Sequence, residues 1–343
     1  MAYASTAGNV TRDPVELARL HWVLRFGTGI SLAMVICEAM GWHPSFIAPL
    51  LMAALHANLP ASPPFKVGVV LVLVMAIAAL IAFALPSLLR FSPQILVGVI
   101  GLIVFLALLV MALGKAKLPA MLLLLCIATV PIVALTSPDQ ASLLPIALVR
   151  ATAIAVFVLW CMHALWPRVI ARAAAPAAAP VGSPVRAALA GTAIVMPVML
   201  VHLMFGLTDA LPVLVTTVLL VTNLDPQRGF MHGMAMMLGN LIGGLIGLLC
   251  FALLQILPSL VTLALITFVV ACAFGARIEK GGPAAPVYLI TLNASLLIFG
   301  MAILTGPSNA GIWITRLSQF AIACIFATTM MSLFWGGKRW VKQ

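Results

Sequence analysis

The sequence predicts an all-α integral membrane protein with about 12 transmembrane helices, arranged as two parallel six-helix repeats. Three observations predict it: the composition, the all-round apolar character of the long runs, and landmarks that recur at a nearly constant offset. Of the 343 residues, 64% are hydrophobic and 7% charged, with a mean hydropathy of +1.24. A soluble domain carries roughly 25% charged residues, and a sphere of this size must still show a large surface to water. The composition therefore excludes a soluble enzyme, a disordered chain and a nucleic-acid-binding domain. The net charge of +11 does not restore the last class, because its 18 Lys and Arg are spread between apolar runs rather than gathered into a patch. Runs such as 67–85, 95–113 and 118–135 are apolar on every side, unlike the alternating strands of a membrane barrel.

At about 20 residues per crossing, hydropathy read against Pro, Gly and charge gives the spans in order. The first half holds 22–41, 45–60, 67–88, 93–113, 118–136 and 143–166. The second half holds 187–206, 209–224, 231–255, 257–275, 284–305 and 311–335. The second and eighth spans are about 16 residues long, so they read as marginal crossings or as elements covered by protein. Residues 1–21 are expected to form a cytoplasmic segment. They carry Arg12, Asp13, Glu16 and Arg19 without an apolar core, so the first span itself is expected to target the chain.

Orientation follows from counting basic residues. With the N-terminus cytoplasmic, 15 of the 18 Lys and Arg fall at inner loops and span ends, Arg25 among them, and only Arg90 falls in an outer loop. Both termini are therefore expected inside, with 336–343 as a basic tail. The repeat is read from four landmarks. Gly41 and Gly206 lie 165 positions apart, as do Asn58 and Asn223; Arg150 and Arg316 lie 166 apart, and Trp166 and Trp335 lie 169 apart. Six crossings per half make the repeats parallel, at 22–166 and 186–335. Residues 167–185, rich in Ala and Pro, read as a cytoplasmic tether between them.

The second half runs from Arg186 through Gly206-Leu207 to Asp225-Pro226-Gln227-Arg228-Gly229, then a glycine-rich stretch from Leu238 to Gly244, with Arg316 late. The first half shows a fainter version in Gly41-Trp42-His43-Pro44, Arg150 and Trp166-Pro167-Arg168. This pattern resembles the fusaric acid resistance / aromatic acid exporter family of bacterial inner-membrane efflux proteins. Long members place a sizeable cytoplasmic domain where this chain has only residues 167–185, and many carry an Arg where it has Met236-Met237. The resemblance implies export of small aromatic or other organic acids, proton-motive drive, and a periplasmic adaptor of the membrane-fusion type leading to an outer-membrane channel. It implies the bacterial inner membrane as the location.

Polar groups inside a bilayer are costly, so each is a functional candidate. Arg150 and Arg316, at matching places in the halves, lie roughly 24–28 Å from the inner face by helical rise. Either they snorkel to outer headgroups, or they form a pair of guanidiniums that grips a carboxylate. Glu38 lies near the outer end of the first span, and Asp209 opens the eighth on the same side. Each is a candidate for proton coupling through a desolvated carboxylate, or else an ion-pair partner of Arg150 or Arg316. Gly239, Gly243 and Gly247 form a small-residue stripe for close helix packing, with Asn240 and Asn293 as polar lining residues or interhelical hydrogen-bond partners. Asp225 and Arg228 mark a structural turn or a cytoplasmic gate. The six histidines show no ligand spacing, read mostly as interfacial, and imply no metal; the six cysteines read as buried small hydrophobes.

The leading functional reading is a secondary exporter of small organic anions that requires no cofactor and binds no nucleic acid, with the lipid bilayer, an adaptor and a homo-oligomeric copy as its candidate partners. A non-transporting assembly or scaffold subunit is the alternative. A membrane-embedded transferase is disfavoured, because seven acids with no close intramembrane pair offer little for a metal-bound pyrophosphate.

Overall fold

A computed structural model describes residues 14–59, 61–137, 141–169, 183–206, 229–282 and 284–306, with scattered positions at 214, 215, 217, 218, 221, 222, 318, 325, 326 and 329. Among these residues every regular element is an α-helix. The first half gives α1 (Pro14–Ala39), α2 (Ile47–Asn58), α3 (Phe65–Leu89), α4 (Pro93–Ala112), α5 (Lys117–Thr136) and α6 (Leu143–Leu165). The second gives α7 (Pro184–Phe205), α8 (Gly229–Ile256), α9 (Leu260–Glu279) and α10 (Ala285–Thr305). All but α2 are long and apolar enough to cross a membrane, nine spans among the described residues. The spans expected at 209–224 and 311–335 lie largely outside the described residues, as do 170–182 of the tether and the 336–343 tail.

Two helices run past their expected ends for the same reason. α1 begins eight residues ahead of its apolar run and α9 runs to Glu279, and the added turns are joined by an Arg19–Glu279 ion pair of 3.4 Å. Hydropathy marks where the chain is apolar, whereas the helix continues for as long as its backbone hydrogen bonds and side-chain partners allow. The 12-residue α2 settles the open reading of the second span. At 1.5 Å per residue it is roughly 18 Å long against a core of about 30 Å, and nine of its residues are buried. It is an element covered by protein, packed on α1, α6 and α10.

Cross-contacts fix the helix directions. His56 lies against Trp22 in a tilted ring contact while Ser45 bonds Glu38, so α2 runs antiparallel to α1. Arg25 reaches the carbonyl of Trp166 while Arg150 reaches that of His43, so α6 also opposes α1. The face where α1 begins is hereafter proximal and the face where it ends distal. α9 opposes α1, with Gly27 against Cys272, Phe26 against Gly275 and Ser31 Oγ donating to the Ala264 carbonyl at 2.7 Å. The principal pairings are α1 with α9, α4 with α7, α3 with α5, α8 with α10, and α2 with α6.

The α8–α10 seam is a close approach of two helix backbones. The glycine stripe lies directly on the backbone of α10: Gly243 against the Thr291 carbonyl, Gly247 against that of Ser295, and Gly239 against the Thr291 hydroxyl and Val287. On the opposite face of α8, Leu238, Ile242, Leu245 and Leu249 are exposed. Val69, Leu73, Ile77 and Leu80 of α3 and Leu265 and Val269 of α9 are exposed likewise. In water such faces would be strongly unfavourable, so the surrounding medium is a bilayer.

Candidate functional site

Between the two halves lies an elongated cavity of about 500 Å³. Its walls come from α2, α5 and α6 on one side, and from α10 with Val215 and Val218 on the other. It runs from His43, Ser137 and Leu143 at the distal face to Ala54 and Met121 deeper in the bundle. The lining is mainly Leu, Val, Ile and Met, so the cavity favours an apolar or aromatic body. Thr129 Oγ1 is satisfied by the Leu125 carbonyl at 2.8 Å. Asn293 is different: it is buried, it lines the cavity, and its Oδ1 has no hydrogen-bond partner. A buried carbonyl of this kind can accept from a ligand hydroxyl or amide at little desolvation cost.

The distal rim carries two of the residues that the sequence singles out. Arg150 is half-buried, with its guanidinium 4.8 Å from the Trp42 ring and Nη2 donating to the His43 carbonyl at 3.4 Å. His43 lines the cavity, whereas Arg150 is not itself a lining residue and reaches it only through the His43 carbonyl. The cation–π contact holds the side chain over the 42–44 turn. Glu38 accepts a hydrogen bond from the buried Ser45 hydroxyl on the same turn, and no ion pair joins it to Arg150. Of the two arginine partners considered for Glu38, Arg150 is thereby removed.

The remaining candidates separate. Asn240 is buried in α8 and does not line the cavity. Gly239, Gly243 and Gly247 are packing residues, as their contacts with α10 show. Arg316, Asp209, Asp225 and Arg228 lie outside the described residues. Among the described residues no three His, Cys, Asp or Glu side chains come together as a metal-binding set.

The largest departure from expectation is at the proximal end. Arg25, counted as a topology residue, is fully buried in α1. Of the histidines, read mostly as interfacial, His56, His163 and His202 are buried as well. The reason is tertiary: α1, α2 and α6 converge, and the His56 ring lies 5.0 Å from Trp22, 5.7 Å from Phe26 and 5.7 Å from His163. Arg25 Nη1 donates to the carbonyls of Trp166 at 2.5 Å and Arg168 at 2.8 Å, closing the end of α6. The sequence did hold one signal, a charged residue three positions inside an apolar span.

Fold and cavity together define a multi-pass α-helical membrane protein with a ligand-sized space inside its bundle. A family model described as "Protein of unknown function (DUF2955)" matches residues 22–162. The match runs from Trp22 in α1 to Met162 in α6, and it takes in Arg25, Glu38, His56 and Arg150. No curated protein and no solved structure gives a match.

Proposed function

We propose that the chain is an efflux transporter of the bacterial inner membrane that exports small organic acids, probed most simply with aromatic ones, and draws on the proton gradient. The observation that carries this reading is the cavity itself. It is walled by both halves of the chain, apolar along its length, and bears a free acceptor at Asn293, with the Arg150 guanidinium beside its distal wall at His43. An apolar body with one anionic end matches that distribution. Its carboxylate needs fixed positive charge to leave water, and Arg can hold it in a planar fork.

The helix pairings support the two-repeat part of the reading. If α7 to α10 answer to the first, third, fourth and fifth helices of a second six-helix unit, then α1 on α9 has its counterpart in α7 on α4. In the same way α3 on α5 matches α8 on α10. A pseudo-twofold bundle of this kind permits alternating access by movement of one half against the other. Both termini and the 167–185 tether are cytoplasmic in this scheme, and the cavity mouth faces the periplasm, where an adaptor would collect the exported solute.

The test is flux. In proteoliposomes carrying the purified protein, Arg150→Lys and Arg316→Lys should each lower benzoate transport severalfold while leaving benzamide transport nearly unchanged. Equal loss for both solutes, or no loss, would overturn the recognition role and return both arginines to snorkelling. Absence of wild-type flux for every acid tried would favour a scaffold subunit.

A further inference from the structure

We propose that Arg25, His56 and His163 form a second binding site, at the proximal end of the bundle, for the oxyanion of a small solute such as a carboxylate. The inference rests on the transport reading and deepens it, because it supplies a loading site at the end opposite the cavity mouth.

Four nitrogens carry the inference. Nε and Nη2 of Arg25, Nε2 of His163 and one ring nitrogen of His56 are buried with no hydrogen-bond partner, the other His56 nitrogen facing the Trp22 backbone. Arg25 spends only Nη1 on the end of α6, and capping needs no more than that. His163 Nδ1 is satisfied by the Leu159 carbonyl at 2.8 Å, which leaves its other nitrogen pointing away from its own helix backbone. The two imidazole rings lie 5.7 Å apart, tilted by 46°, and the charge of Arg25 bears on both.

A guanidinium held out of water without a counter-charge is strongly unfavourable. No carboxylate among the described residues pairs with Arg25: Glu279 is engaged by Arg19, and Glu38 sits at the distal end. Packing alone does not explain the side chains either. A Phe or Leu at position 56 would fill the same space beside Trp22 and Phe26 with no nitrogen to satisfy. At the 165-residue offset that aligns Gly41 with Gly206, Arg25 and His56 correspond to Ala190 and Val221, both buried. The second half thus packs the corresponding places with apolar groups.

The chemistry selects an anion. A cation would meet the Arg25 charge, whereas a carboxylate can take Nε and Nη2 as a planar fork and accept from an imidazole N–H as well. His56 lies two residues beyond Ala54, on the face of α2 turned away from the cavity lining, so the site is distinct from the cavity.

The experiment is equilibrium binding of radiolabelled benzoate to the full-length protein in lipid nanodiscs, with benzamide as the neutral comparison. His21, Arg168 and Arg25 all lie at this end, so an exposed arginine elsewhere, Arg90→Gln, controls for net charge. Arg25→Gln and His56→Phe should each weaken benzoate binding at least tenfold, and Arg90→Gln should leave it unchanged. His56→Phe keeps the ring packing, so it reports on the site even if Arg25→Gln fails to fold. Wild-type affinity for benzoate in a folded His56→Phe protein, or equal binding of benzamide, overturns the site. So does an absence of benzoate binding to the wild type. Benzoate flux in the same nanodisc-grade protein, reconstituted in liposomes, then decides the transport reading separately.

Discussion

Replacing Gly243 with alanine should part α8 from α10 and lower stability. A Cβ at this position would overlap the Thr291 carbonyl oxygen, and would lie 2.9 Å from Ala294 Cβ and 3.0 Å from the Thr291 carbonyl carbon. Ordinary contact begins at 3.4 Å, so the helices must separate by roughly one ångström in an interior with no slack. The obstacles are mostly backbone, so no rotamer change relieves them, and the separation also weakens the contacts beside Gly239 and Gly247. Such overpacking costs about 1–3 kcal/mol, with a backbone obstacle at the upper end. Against it stands the gain of about 1 kcal/mol for Ala over Gly in a helix. A net loss of about 2 kcal/mol is expected by combining these two effects. Gly98 is the control, since nothing lies within 4 Å of the corresponding Cβ; there alanine should stabilise by up to about 1 kcal/mol. Unfolding midpoints in mixed micelles, measured for both variants beside the parent, read the difference. Shifts of the same sign would refute the reasoning about the seam.

Two further predictions concern orientation and coupling. Single cysteines placed near Arg172 and Lys280 should resist impermeant thiol reagents added outside cells, whereas one near Pro138 should react; labelling at Arg172 from outside would reverse the assigned orientation. Glu38→Gln keeps an acceptor for the Ser45 hydroxyl, so the fold should survive while uphill export driven by a pH gradient is lost and substrate counterflow persists. Normal uphill export in that variant would make Glu38 a structural residue.

Much of the helical framework is legible in the sequence, because a membrane span is a local property of about 20 neighbouring residues. The shortness of the second span was visible for the same reason, and α2 is indeed a 12-residue helix covered by protein. The small-residue stripe of Gly239, Gly243 and Gly247 was legible from its four-residue spacing, which puts all three on one helix face. The proximal cluster was not. Arg25, His56 and His163 sit on three helices, and no spacing rule links residues that only tertiary packing brings together. Counting basic residues for topology also treats Arg25 as one more inner charge, although its burial gives it a different chemistry. The cavity is a still less local property. Its lining is ordinary Leu, Val and Met, indistinguishable in sequence from residues that face lipid.

The shortness of α2 has a consequence for how the protein is made. An insertion machinery that admits segments one at a time recognises stretches of about 20 apolar residues, and α2 offers 12. It cannot be committed to the bilayer by its own partitioning. It enters folded against α1, as the short second arm of a hairpin, and α6 and α10 arrive later to cover it. The order of synthesis therefore leaves α2 incompletely enclosed until most of the chain has emerged. Truncations ending before α10 should be cleared by membrane proteases more readily than their count of long spans alone would indicate.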